Sequence, residues 1–201
     1  MEKYCLYIVL TRTNTVMSKL IQFVKNDEYT HAAISLDKEL NNMYGFGRKN
    51  TYNPFVGRFR QEKVDEGLYK FHKNLPGVIM EVEVSKQQYK KAKDLLNHFI
   101  FNSNLYKYNY KGLIHSLFNK AECSETRFLC SEFVYHILKE SNIADLDISR
   151  NLVRPQSLLD LKGKIIYKGN LKNIKSQHNN CNSIERESFC FPLRPQSNQY
   201  Y

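Results

Sequence analysis

Tryptophan is missing from these 201 residues, so the aromatic mass of any core has to come from 14 tyrosines and 12 phenylalanines. No run of 18 apolar residues occurs, which removes the expectation of a membrane-spanning helix. Cysteines are few: Cys5, Cys123, Cys130, Cys181 and Cys190 are odd in number and never fall in a Cys-x-x-Cys pair. That pattern argues against a zinc knuckle and against a complete disulfide framework, so no metal site is expected. A secretory leader is not recognisable either, because Glu2 is acidic and Arg12 interrupts the apolar run Leu6 to Leu10 early. Together these features lead us to expect a reduced, cytoplasmic protein.

Acid is the scarcer charge. Thirty basic residues against 20 acidic ones give a formal charge of +10, a balance that favours acidic partners or anionic surfaces. The basic residues are nevertheless dispersed, with no run of five lysines or arginines and no nucleic-acid motif. A solvated lysine-rich surface is therefore the plainer account, and no nucleic-acid partner is expected.

The chemistry-bearing stretch is Arg127 to Glu140. Phe133, Val134, Ile137 and Leu138 recur with helical spacing and make one apolar stripe. Cys130 lies three and four residues before Phe133 and Val134, so it falls on the inward face at the helix start. Unpaired N–H groups and partial positive charge at a helix N-terminus favour a thiolate over a thiol. Simple packing is the competing account, since free cysteine is among the most buried residue types. A nucleophile also needs a base. His31, in Tyr29-Thr-His-Ala-Ala-Ile-Ser-Leu-Asp37, stands at the entry of a short alternating strand. His136, six residues past Cys130, is off the cysteine's face and is rejected as the base.

The order of these pieces resembles the circularly permuted papain-like cysteine hydrolases, the permuted NlpC-type or YiiX/YebB-like group. The matching features are an opening strand, Tyr-Thr-His-Ala-Ala-Ile, and about a hundred residues later Phe-Leu-Cys-Ser-Glu-Phe-Val. The resemblance spans roughly residues 4 to 171, although its sharp motifs fill only three short pieces. It implies an α+β fold, a mainly antiparallel sheet packed against helices that include the nucleophile helix. It also implies peptidase or amidase activity on small peptides, including wall-derived ones, with no cofactor. Family members carry a third polar residue on the strand beside the histidine; Asn42 and Tyr44 are the candidates here. An aromatic-plus-Asn element upstream of the cysteine helix matches Tyr106, Tyr108 and Asn109 in type, which nominates them for substrate binding.

Elsewhere the chain divides readily. Lys3 to Thr11 is a buried strand, and Val16 to Lys25 has a helical stripe capped by Asn14 or Thr15. A second strand is expected around Asn42 to Arg48, and Gly47 to Gly67 is expected to be a long loop flanking the site, with Arg48, Arg58 and Arg60 able to meet a carboxylate or phosphate. Gly77 to Val84 alternates as a strand, Ser85 caps a helix over Lys86 to Ile100, and Lys164 to Lys168 is a last strand. Residues 1–175 are thus expected to form one domain and 176–201 an irregular tail, ordered only if Phe189 and Phe191 dock. Glu132 has three readings: favouring the helix N-terminus, holding a substrate amine, or meeting water.

The expected activity is cleavage of an amide through a Cys130–His31 dyad and a thioester intermediate, on a small peptide or acyl substrate. Two other classes stay open: a lipid acyltransferase or lipase using the same dyad, and a catalytically silent binding module. Peripheral membrane contact is not expected, because no anchor is evident.

Overall fold

The computed structural model describes residues 3–13, 26–48, 57–66, 69–70 and 72–174. These residues build an α+β architecture around one mixed sheet of eight strands, ordered β7-β6-β4-β3-β2-β1-β5-β8. The strands are β1 (Tyr4–Thr11), β2 (His31–Ser35), β3 (Met43–Arg48), β4 (Gly57–Glu62), β5 (Pro76–Val84), β6 (Lys107–Tyr108), β7 (Arg127–Phe128) and β8 (Lys164–Asn170). Every pairing is antiparallel except the short β6–β7 pair. Three α-helices accompany them: α1 (Lys86–Phe101), α2 (Tyr110–Leu117) and α3 (Cys130–Glu140).

The apolar run of β1 is explained by its place. It lies inside the sheet between β2 and β5, and both of its faces are covered. Leu6, Ile8 and Leu10 enter one core while Tyr7 and Val9 enter a second on the other side. Helices α1 and α3 cover the first face. Ser85 accepts from Gln88 N–H and the Gln88 side chain accepts from Ser85 N–H, closing a capping box that fixes where α1 begins. Ala92, Leu96 and Phe99 then form its buried stripe.

Helix α3 packs across β2 and β3, and phenylalanines fill the space that tryptophan would otherwise occupy. Phe46 touches Phe59, Phe99, Phe128 and Phe133 with ring centroids 5.4 to 6.4 Å apart. Those four rings come from β4, α1, β7 and α3, so the cluster locks helix α3 to the sheet.

Two expectations change. The segment Gly47 to Gly67 is not a simple loop, because Gly57 to Glu62 forms β4 and pairs in register with all of β3, Met43 opposite Glu62. Helix α2 and the two-residue strands β6 and β7 had no strong periodic signal. The expected helix over Val16–Lys25 lies outside the described residues, as do the boundary at residue 175 and the tail with Phe189 and Phe191. Among the described residues, no helix is long and apolar enough to cross a membrane.

Phe46→Ala removes the ring shared by four elements and should destabilise the fold by about 3–5 kcal/mol. Urea unfolding checks this; a loss below about 1 kcal/mol would mean that the cluster can collapse onto the cavity.

Candidate active site

Cys130 is the first residue of α3 and is buried. The helix is not capped in the usual way. Its N-cap is Leu129, which has no side-chain oxygen, and no side chain caps the first-turn N–H groups. Glu132 instead reaches back and accepts from Leu129 N–H at 3.0 Å. The N–H of Cys130 therefore lies beside its own sulfur at the positive end of the helix.

His31 opens β2 and pairs with Thr11 of β1. Its Nε2 lies 3.0 Å from Oε2 of Glu62, with side-chain exposures of 14% and 4%. A carboxylate only accepts, so Nε2 carries a proton toward Glu62, and in the neutral imidazole Nδ1 is the acceptor. The Cys130 side chain lies close enough to the imidazole to help raise its pKa. Cys130, His31 and Glu62 thus form a thiol–imidazole–carboxylate series. Tyr69 extends it, its hydroxyl donating to the same Oε2 of Glu62 at 2.9 Å.

Burial alone would depress the imidazole pKa. The Glu62 carboxylate and the neighbouring Cys130 side chain outweigh it and hold His31 well above its ordinary value. Burial likewise pushes Glu62 up, but the His31 charge and the hydrogen bonds from His31 and Tyr69 win, and its pKa lies below the carboxylate norm. Tyr69 is driven well above the usual phenol value by burial and by the neighbouring Glu62. It remains a hydroxyl donor.

Why the carboxylate fits is legible from β3. Register pairs Met43 with Glu62 and Gly45 with Arg60, so the Glu62 side chain projects from the same face of the sheet as Ala33 and Ser35. Oε1 of Glu62 lies across Gly45 and Gly47. A Cβ at those positions would come within 2.9 Å and 3.0 Å of that oxygen. The two glycines are there for close approach, not for an unusual φ.

The residues nominated from sequence separate into three groups. Cys130 and His31 are brought together as expected. The orienting candidates are corrected. Asn42 is exposed, and its backbone N–H donates to Asp37 Oδ2 at 2.7 Å, closing the β2–β3 turn. Tyr44 points to the opposite face, stacked on Phe59 with centroids 5.9 Å apart. Glu62 holds the orienting place that they were expected to share. Its signal was a lone carboxylate ending the alternating run Gly57-Arg-Phe-Arg-Gln-Glu62; Tyr69, seven residues on, had none.

The expected binding residues also shift. Glu132 is fully buried and holds no substrate; it accepts from Arg150 Nε at 3.1 Å and from Asn109 Nδ2 at 3.3 Å. Burial raises its pKa, against the lowering pull of Leu129 N–H and Arg150. Asn109 is the buried N-cap of α2, its Oδ1 accepting from Gly112 N–H at 2.9 Å. Tyr106 hydrogen-bonds His98 and stacks on Phe99 at 4.3 Å. It lines a groove at the sheet edge and not the cysteine cleft. Tyr108 lines both that groove and the narrow cleft at Cys130. Arg48 ends β3, and its side chain lies outside the described residues. His136 is held neutral at about 4 by burial and by Arg150, in keeping with its rejection as the base.

Among the described residues no cluster of His, Cys, Asp and Glu could hold a metal ion. Comparisons with protein families, with curated proteins and with solved structures return no match.

Replacing Glu62 by Gln should lower the His31 pKa sharply, toward or below the ordinary 6.5, read by the imidazole proton titration in NMR. The stability difference between wild type and Glu62→Gln has a defined pH window. The raised His31 value contributes fully below about pH 6.5 and is lost as pH rises through the folded pKa; the lowered Glu62 value contributes above about pH 4.5 and is lost as pH falls. The difference should therefore peak between those values. A pH-independent difference in urea unfolding would refute the buried charge pair.

Proposed function

We propose that this chain is a cysteine hydrolase of the permuted papain-like, NlpC type, a peptidase or amidase acting on a small peptide. The observation that carries the reading is a histidine held between a buried carboxylate and a cysteine at a helix N-terminus. A non-catalytic binding module has no use for Glu62, whose burial is costly unless its charge is matched.

The chemistry follows from the atoms present. His31 Nδ1 takes the Cys130 thiol proton while Glu62 stabilises the resulting imidazolium through Nε2–H. The thiolate attacks the carbonyl carbon of the scissile amide, and negative charge develops on the carbonyl oxygen. Cys130 N–H, at the positive end of α3, is placed to donate to that oxygen. The imidazolium returns its proton to the departing amine, the C–N bond breaks, and a thioester to Cys130 remains. Water, deprotonated by the neutral imidazole, then attacks the thioester; the acid leaves and the thiol is restored.

A second reading, acyl transfer on lipid, uses the same residues. It is favoured by Phe101, Leu105, Ile114 and Phe118, which are 55 to 85% exposed on and after α1 and α2. Exposed apolar side chains of this size suit a lipid surface. Co-sedimentation with neutral and anionic liposomes separates the two: a peptidase stays in the supernatant.

Iodoacetamide should alkylate Cys130, with Cys123→Ser as background control because Cys123 is exposed. His31→Ala should slow that reaction at least tenfold, and either Cys130→Ser or His31→Ala should reduce peptide-amide turnover by about 10²–10⁴-fold. Alkylation that is indifferent to His31 would sink the hydrolase reading.

A further inference from the structure

The edge of the sheet beside the site carries an arrangement that costs folding energy. Arg58 of β4 pairs directly with Lys107 of β6, and Lys107 pairs directly with Arg127 of β7. Three cations thus stand side by side across three strands. Phe128 enters the first core, so its neighbour Arg127 points to the other face. All three are exposed, and none makes an ion pair among the described residues. Like charges placed directly opposite one another repel.

This row borders a concave groove between the end of α1 and the strands β4 and β6, also lined by Arg60 and Tyr106. No Asp or Glu lines it among the described residues. Beyond Arg58, the outer edge of β4 has no strand partner among the described residues. The groove adjoins the Cys130 cleft, with Tyr108 as a wall of both. Opposite it, Gly57 leaves the Tyr108 side chain its place; a Cβ there would meet Tyr108 Cβ at 2.8 Å and its ring at 3.0 Å.

We propose that this groove is the recognition site for an acidic peptide segment, whose carboxylates lie on the Arg58–Lys107–Arg127 row while its scissile amide reaches Cys130. The inference rests on the hydrolase reading and adds the substrate class to it. The row offers charge complementarity. The open edge of β4 offers backbone N–H and C=O groups to an extended chain, the usual way a peptide adds to a sheet. A concave groove admits a slender chain, whereas a flat anionic bilayer would meet protruding side chains first.

Binding is measured with the intact chain carrying Cys130→Ser, so that no turnover intervenes. The probe is a fluorescein-labelled Glu-Ala repeat hexapeptide, followed by anisotropy, with a Gln-Ala repeat as its neutral counterpart. Arg58→Gln/Lys107→Gln/Arg127→Gln should weaken the acidic peptide at least about tenfold. Lys90→Gln/Lys91→Gln/Lys93→Gln, on the exposed face of α1, should change it less than about twofold. The groove variant should also raise Tm, because its removal of charge relieves repulsion. Equal affinity for the neutral peptide, insensitivity to the groove variant, a lowered Tm, or preference for phosphatidylserine vesicles over the peptide would each overturn the proposal. Iodoacetamide labelling of Cys130, measured in parallel on the chain that retains the cysteine, keeps the two readings apart. Lost peptide binding with His31-dependent labelling removes only the groove assignment. Retained peptide binding with His31-independent labelling removes the hydrolase reading and leaves an acidic-peptide site.

Discussion

The buried pair of His31 and Glu62 is the constraint from which the site follows. A carboxylate with almost no exposure to water has to be matched, and here both an imidazole and a phenol donate to one of its oxygens. That arrangement fixes the ring orientation and its tautomer, leaving Nδ1 for the thiol. It also dictates composition on the next strand: Gly45 and Gly47 leave the space in which the second oxygen lies. The long register of β3 with β4 carries Glu62 to its place. A slip of one residue would turn it to the opposite face.

A second buried carboxylate does a different task. Glu132 receives Leu129 N–H, Asn109 and Arg150, and so ties the start of α3 to the start of α2 and to the loop before β8. Arg150 spreads that tie further, donating to Ser124 C=O at 2.7 Å and lying 4.5 Å above the Phe128 ring. Helix α3 is thereby held from below by the phenylalanine cluster and at its Cys130 end by a charged network. Two acids near one cysteine have separate duties, and what separates them is their partners: an ionisable imidazole for Glu62, a permanently charged guanidinium and a backbone N–H for Glu132.

The outer strands complete this picture. β6 and β7 are only two residues long, yet they bring Tyr108 to the cleft and bury Phe128 beneath α3. Alternation along such short strands has a consequence: whatever buries Phe128 on one face must expose Arg127 on the other. The cation row is therefore coupled to the core, and the groove beside it is part of the same construction that positions Cys130.

The sequence by itself determined the elements with strong periodicity. β1, β5, α1 and α3 were legible because an apolar run or stripe is a local property of the chain, and Cys130 and His31 were legible because each stands at the first residue of such an element. Glu62, Tyr69 and the paired glycines were not, since nothing local distinguishes a buried strand carboxylate from a solvated one. Asn42 and Tyr44 failed for related reasons: Asn42 falls in the turn before β3, and Tyr44 takes the face of Ile34 and Gln61, a choice made by register with β2 and β4. Glu132 could be placed at the helix N-terminus from spacing, but only its contact with Arg150, eighteen residues away, removed it from the substrate. Identity and period fixed which residues were candidates; long-range pairing and burial decided which of them meet, because both depend on chain segments that sequence distance keeps apart.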